Sequence, residues 1–401
     1  MHDNRSIQDL INSHQPGWAL ERRFYTDPAM YALELESILF KNWFMAGHES
    51  QIPNNGDFIV ARMDKESAIV VRGSDGRLRA FANVCRHRGS LVCLNDAGSV
   101  SKFVCPYHGW TYDINGNLSA ARSMPEDFDK SGHGLNPVSL DVIGGLIFIC
   151  FSDDPPSLDA TRHDLAGPMM MFGFENLKVA AKKTYPIAAN WKLAIENYQE
   201  CYHCASAHPD YAKLHTLMLD PLKRDRIQDK MLGRLETCGL NDIEVYSLDC
   251  DVPAGGSAYS YSRTALFEGY KTGSRDGEPL APLLGNLTDF DGGASDWVFG
   301  PFTYMLSYSD HHVVYVFTPV DIQNCSCEVY WIVRGDAEEG KDYDVDELTW
   351  LWDVTTHSDK AIIVNNWKGV NSRYYKPGPF SKMERSESNF IDWIVRELKT
   401  A

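Results

Sequence analysis

The chain has 401 residues, 44% of them apolar and 12% aromatic, enough for two or three ordinary cores and too apolar for a disordered protein. Its formal net charge of −17 repels phosphate backbones and disfavours nucleic-acid binding. The longest apolar run, at 142–151, is broken by two glycines and too short to span a bilayer, and no apolar segment opens the sequence as an export signal would.

A reducing cytoplasm is therefore expected, with the ten cysteines as ligands or buried thiols rather than disulfides. Cys93, Cys150, Cys238 and Cys250 read as ordinary core or surface thiols.

Along the chain, 27–43 reads as a helix with Asp27 as N-cap and Pro28 at its first position. From 41 to 155 the texture changes to short alternating runs, at 56–63, 67–73, 77–84 and 144–151, separated by turn residues. That stretch predicts a β-rich domain ending at a Pro-containing linker. The remainder, 156–401, mixes helical stretches at 190–204 and 344–367 with strands at 304–308, 311–320 and 325–335. It reads as α+β, an antiparallel sheet with helices packed on it.

Inside the β-rich region stand Cys85-x-His87 and Cys105-x-x-His108, with 17 residues between the pairs. Two thiolates on one iron and two imidazoles on the other hold a Rieske [2Fe–2S] cluster. Zinc takes the same donor types, but zinc fingers usually group their cysteines in one loop and their histidines in another. Here each loop supplies one of each, which favours the cluster.

A second constellation lies at 197–209. Glu200 and His203 are three apart, so on a helix they share a face. His208 is five beyond His203 and precedes Pro209, which pushes it out of helical geometry. A helix ending or bulging at 205–207 would swing it back beside His203. Two imidazoles and a carboxylate form the facial triad of a non-heme iron site. Taken alone, two histidines are more often ordinary polar residues, and Cys201-x-x-Cys204 also permits a zinc or thiol-redox reading.

Together these motifs resemble the catalytic alpha subunit of the Rieske non-heme iron oxygenases. The resemblance spans 40 to the C-terminus, and Asn197, Glu200, His203 and His208 meet the family pattern N-x-x-[D/E]-x-x-H-x-x-x-x-H. It implies a β-rich Rieske domain at 41–155, a helix-grip-like catalytic domain at 156–401, and a helical segment at 1–40 packed on the latter. It also implies a head-to-tail homotrimer in which the cluster of one subunit feeds the iron of the next. Glu200 then bridges His108 of one subunit to His203 of its neighbour. The third iron ligand comes from a later helix, where Asp359 fits the family spacing better than its competitor Asp353.

Most of the family has Asp at the bridging position. Glu200, the string at 200–204, and the segment 369–379 resemble the subgroup acting on glycine betaine and carnitine. The implied activity is hydroxylation of a quaternary ammonium compound, with N-demethylation or C–N cleavage. Ring hydroxylation or demethylation of an aromatic compound is the alternative. No dinucleotide fingerprint is present, so electrons are expected from a separate NAD(P)H reductase carrying flavin and an iron–sulfur centre. Trp297, Tyr304 and Trp367 are the expected cage for the ammonium group, since aromatic faces attract such cations.

Overall fold

The computed structural model describes residues 4–219, 221–238, 247–249 and 255–400. They divide into two compact units: Lys41–Pro156, and Met1–Phe40 together with Ser157–Ala401.

The first unit is built from ten strands: β1 Phe44–His48, β2 Asp57–Met63, β3 Glu66–Arg72, β4 Leu78–Ala82, β5 Ala97–Ser99, β6 Lys102–Val104, β7 Thr111–Asp113, β8 Leu118–Ala120, β9 Pro137–Ile143 and β10 Leu146–Cys150. Seven form an antiparallel sheet in the order β1-β10-β9-β4-β3-β2-β5, and β6-β7-β8 form a smaller one. Phe58, Ile69, Val71, Phe81, Trp110 and Tyr112 fill the core beneath Cys85 and Cys105. β1 carries no alternation because all five of its residues are buried, so periodicity missed it.

The second unit centres on one antiparallel sheet: β11 Leu177–Ile187, β12 Ser247–Asp249, β13 Tyr259–Ala265, β14 Gly293–Phe299, β15 Thr303–Ser307, β16 His312–Asp321 and β17 Asn324–Arg334. The order is β11-β17-β16-β15-β14-β13-β12. The fold is thus mixed, helices on antiparallel sheet. The helix Trp191–Tyr198 packs on β16 and β17, and the long helix Val345–Val370 packs on β11 and on that first helix.

Asn190 caps the helix Trp191–Tyr198 by accepting from Lys192 N, and its Nδ2 donates to Tyr25 O and Ile322 O. Lys192 Nζ, fully buried, lies 2.7 Å from both carboxylate oxygens of Glu34, which also accepts from Trp191 Nε1 at 3.1 Å. Breaking such a pair leaves an uncompensated buried charge, a cost of about 3–5 kcal/mol. The pair fixes the N-terminal segment against the helix that leads into the histidine motif.

Two helix boundaries differ from expectation. The helix beginning at Pro28, capped by Asp27, widens into a π turn at Leu35–Leu39 and stops there. The stretch 190–204 is not one helix: it ends at Tyr198, and a short turn Cys204–Ala207 follows. Among the described residues, no helix is long and apolar enough to cross a membrane.

Candidate metal centres and the adjoining cavity

The two Cys/His loops of the first unit have the same backbone design. Cys85 N donates to Ser90 O at 2.8 Å and Gly89 N to Cys85 O at 3.0 Å; Cys105 N donates to Trp110 O at 2.8 Å and Gly109 N to Cys105 O at 3.0 Å. Gly89 and Gly109 have φ of +76° and +73°, a left-handed conformation that favours glycine. Each loop buries its thiol and turns its imidazole outward: Cys85 and Cys105 are 3% and 2% exposed, whereas His108 is exposed and His87 partly so.

The rings of His87 and His108 lie 4.6 Å apart, and His87 stacks on Trp110 at 4.8 Å. His87 Nδ1 is buried without a hydrogen-bond partner. Tyr112 Oη lies 3.3 Å from Cys85 Sγ and accepts from Arg86 N at 3.0 Å. Burial raises the Cys85 pKa, and the neighbouring Cys105 thiol adds to that, against a lowering by Tyr112 and the His87 backbone. Two close buried thiols beside an orphaned imidazole nitrogen suit a cation-rich group that takes all four donors.

In the second unit the helix ends at Tyr198, and Glu200 and His203 lie in the turn that follows. They still meet: His203 Nδ1 is 2.5 Å from Glu200 Oε1. Glu200 Oε2 also accepts from the backbone N–H groups of Tyr202 and His203. His208, with φ −127° and ψ 67°, ends the turn Cys204–Ala207 ahead of Pro209. Its Nε2 lies 3.1 Å from His203 Nε2.

Asp359, from the long helix, brings Oδ1 to 2.7 Å from His208 Nε2 and 3.3 Å from His203 Nε2. One donor atom from each of the three residues falls within a span of 4.8 Å. Burial opposes a charged His203, but hydrogen bonds to Asp359 and Glu200 outweigh it and raise its pKa to about 9. Burial likewise works against the Asp359 carboxylate, and the two imidazoles override it, lowering its pKa. Two ring nitrogens facing each other beside a carboxylate call for a shared cation, and the donor set is that of a non-heme ferrous site. Asp353 is engaged elsewhere, with Tyr185 Oη and with Lys183 Nζ at 3.2 Å. Six positions from Asp359, it lies about 120° away around the helix.

Cys201 and Cys204 are joined by a disulfide, which corrects the expectation of no disulfides; their side chains converge within the tight turn after Tyr198. Cys93, Cys150 and Cys238 are buried thiols outside any disulfide, and Cys250 lies outside the described residues.

Beside the triad opens a cavity of about 850 Å³, bordered by Asn197, Glu200, His203, His208 and Asp359. Its aromatic walls come from Tyr198, Tyr211, Tyr304, Tyr315 and Trp352. Tyr304 is held by two hydrogen bonds, donating to Pro301 O at 2.8 Å and accepting from Gln199 Nε2 at 2.9 Å.

The other two expected cage residues sit differently. Trp297 borders the cavity only as the residue between Asp296 and Val298. Its indole packs on Phe172, Phe174 and Tyr261 and donates to Ser307 Oγ, on the opposite face of β14, because strand side chains alternate. Trp367 does not border the cavity: it lies eight residues beyond Asp359, about 12 Å along the helix and turned about 80°.

Sequence reasoning missed Asp296. Across the sheet it pairs with Ser262 and Leu306, both of which also border the cavity. Burial raises its pKa to about 7. An acid between Ser295 and Trp297 in a strand otherwise rich in buried residues was the available signal.

Two family models match the chain: a Rieske [2Fe-2S] domain over residues 42–138 and a ring hydroxylating alpha subunit (catalytic domain) over residues 174–400. The chain belongs to the Rieske oxygenase alpha subunits. It is 35% identical over 397 residues to the glycine betaine monooxygenase oxygenase subunit of Pseudomonas aeruginosa strain UCBPP-PA14, covering 98% of this chain and 92% of that one. The carnitine monooxygenase oxygenase subunit of Escherichia coli K12 is 36% identical over 230 residues, 56% of this chain and 60% of that one. The fold matches the solved structure of the quaternary ammonium Rieske monooxygenase CntA with L-carnitine, at a TM-score of 0.72 and 22% identity over 98% of this chain and 99% of that one. As a Rieske non-heme iron monooxygenase, an oxidoreductase, the Rieske oxygenase carries a [2Fe–2S] cluster and a mononuclear iron.

Proposed function

We propose that this chain hydroxylates a carbon next to the nitrogen of a quaternary ammonium compound such as glycine betaine or carnitine. The observation that carries the reading is the tyrosine-walled cavity opening directly beside His203, His208 and Asp359. Quaternary ammonium groups have no proton to donate, so ring faces are their natural partners. The overall similarity to glycine betaine monooxygenase subunits supports the same substrate class.

In this reading Cys85, His87, Cys105 and His108 hold the cluster, and His203, His208 and Asp359 hold the iron. When bound, the two centres supply one-electron delivery and the activation of O₂. Glu200 fixes the His203 ring through Nδ1, and the backbone N–H groups of Tyr202 and His203 keep that carboxylate in place. Tyr198, Tyr304 and Tyr315 form one packed aromatic group that positions the reacting carbon and excludes water. Overall, an N-methyl group, O₂, two electrons and two protons give an N-hydroxymethyl group and water. Its C–N bond then breaks to release formaldehyde, a proton and the demethylated amine. Attack on a longer substituent cleaves that C–N bond by the same logic.

The electrons come from a separate NAD(P)H reductase with flavin and an iron–sulfur centre. The assembly is a head-to-tail homotrimer in which Glu200 links His203 to His108 of the neighbouring copy, and its location is the cytoplasm. The exposure of His108 supports such a contact. Purified protein with a compatible reductase tests the activity. Formaldehyde release or trimethylamine release coupled to oxygen uptake is expected with betaines. Coupling only with aromatic acids would overturn the reading in favour of ring hydroxylation.

A further inference from the structure

We propose that the cavity is built for a zwitterion, with Asp296 as counter-charge of the substrate's ammonium group and Arg224 as partner of its carboxylate. The proposal rests on the quaternary-ammonium reading above and adds to it the two residues that read the charges of such a substrate.

Asp296 is placed by strand register. β13, β14 and β15 align Ser262, Asp296 and Leu306 in one row and Ser260, Val298 and Tyr304 in the next, and Tyr315 of β16 extends the second row. All seven residues border the cavity. Within it, among the described residues, the Asp296 carboxylate makes no hydrogen bond or ion pair. Other acids of this sheet region are satisfied: Asp291 is paired with Arg263 at 2.6 Å, and Asp310 with His311 and Thr272. An isolated carboxylate among tyrosine rings is costly to ionise, and a cation in the cavity relieves that cost. A quaternary ammonium group offers charge without hydrogen-bond donors, so a counter-charge and ring faces are the interactions open to it.

Arg224 lies on the helix Pro221–Leu235, which is clasped to β13 by Gln228: its Nε2 donates to Arg263 O at 2.8 Å, and its Oε1 accepts from Ala265 N at 2.9 Å. Arg224 is one turn before Gln228 and shares its face, and it borders the cavity. It forms no ion pair with Asp296 or with any other described acid. Lys382, the other cation bordering the cavity, is exposed to solvent and less committed to it. The cavity lining therefore holds one carboxyl group and one guanidinium that are not paired with each other. A neutral aromatic substrate would leave both unanswered, which is selection against it as well as selection for a betaine.

The test is calorimetric titration of the isolated holoenzyme with three probes. Glycine betaine carries both charges, choline only the cation, and 3,3-dimethylbutanoate only the carboxylate on a carbon isostere. Asp296→Asn should weaken glycine betaine and choline by about thirtyfold and leave 3,3-dimethylbutanoate unchanged. Arg224→Gln should weaken glycine betaine and 3,3-dimethylbutanoate by about tenfold and leave choline unchanged. The probe each variant still binds as wild type shows that it is folded. Equal losses for all three probes, or no losses, overturn the proposal. If the wild type releases formaldehyde from glycine betaine while both variants keep its probe preferences, only this proposal falls. If the wild type binds neither cationic probe, the quaternary-ammonium reading falls with it.

Discussion

His208 Nε2 and Asp359 Oδ1 stand 2.7 Å apart although 151 residues separate them in the chain. Ser358 Oγ ties the same two segments by donating to Ala207 O at 3.0 Å, so the carboxylate arrives on a helix already anchored beside the histidine turn. Asp359→Ala should therefore remove mononuclear iron without disturbing the cluster. Turnover should fall by roughly a hundredfold or more. Iron-to-sulfide analysis alongside the visible spectrum checks this. A variant that keeps its full iron content would take Asp359 out of the ligand set.

Asp353 provides the contrast. Its carboxylate serves Tyr185 and Lys183 on β11, and burial, which would raise its pKa, is overridden by those two hydrogen bonds. Asp353→Asn should cost roughly 1 kcal/mol of stability, as loss of a partly exposed pair does, with iron content unchanged. Thermal unfolding and metal analysis of the same preparation separate the two effects.

Glu200 is held to His203 and to two backbone N–H groups, so Glu200→Gln keeps the size of the side chain while removing its charge. The cluster spectrum should be unchanged. Reoxidation of the reduced cluster in a single turnover should slow by roughly a hundredfold, as read by stopped-flow absorbance. Wild-type reoxidation would rule out Glu200 as the relay.

Asp296 has a predictable effect on stability. Its pKa rises from 3.8 to about 7 on folding, through burial. Between those values the folded state binds more protons than the unfolded state, so its contribution to stability falls as pH rises through that window and is level above it. Tyr198, Tyr211 and Tyr308, which face it, are driven by burial well above the usual phenol range and stay protonated there. Asp296→Asn should thus stabilise the substrate-free protein by about 2–4 kcal/mol at pH 8, and by clearly less at pH 5. Urea unfolding at the two pH values measures it; an equal gain at both would remove the ionisation argument.

The cluster motif was legible because its four donors lie within one short stretch, in two loops that are each closed by a glycine. The pairing of His203 with His208 was legible through Pro209, which signals the departure from helix that brings the rings together. What periodicity could not show was the break after Tyr198: the sequence keeps helix-forming residues there, and the tight turn with Cys201 and Cys204 is settled by the side chains that converge on it. The cavity residues were harder still. Trp297 and Tyr304 look alike as aromatic strand residues, and only the register of β13 to β16 tells which face each one takes. Asp296 went unread for the same reason, since its row with Ser262 and Leu306 is set by pairing between strands.

The unit Lys41–Pro156 is one continuous stretch of chain, whereas the other unit needs Met1–Phe40 together with segments that follow residue 157. During synthesis, then, all four cluster donors have been made before the first histidine of the triad, and the earliest helices must wait for Lys192 and Trp191 to meet Glu34. The cluster loops are thus complete in the nascent chain while the residues of the mononuclear iron site are still to be made.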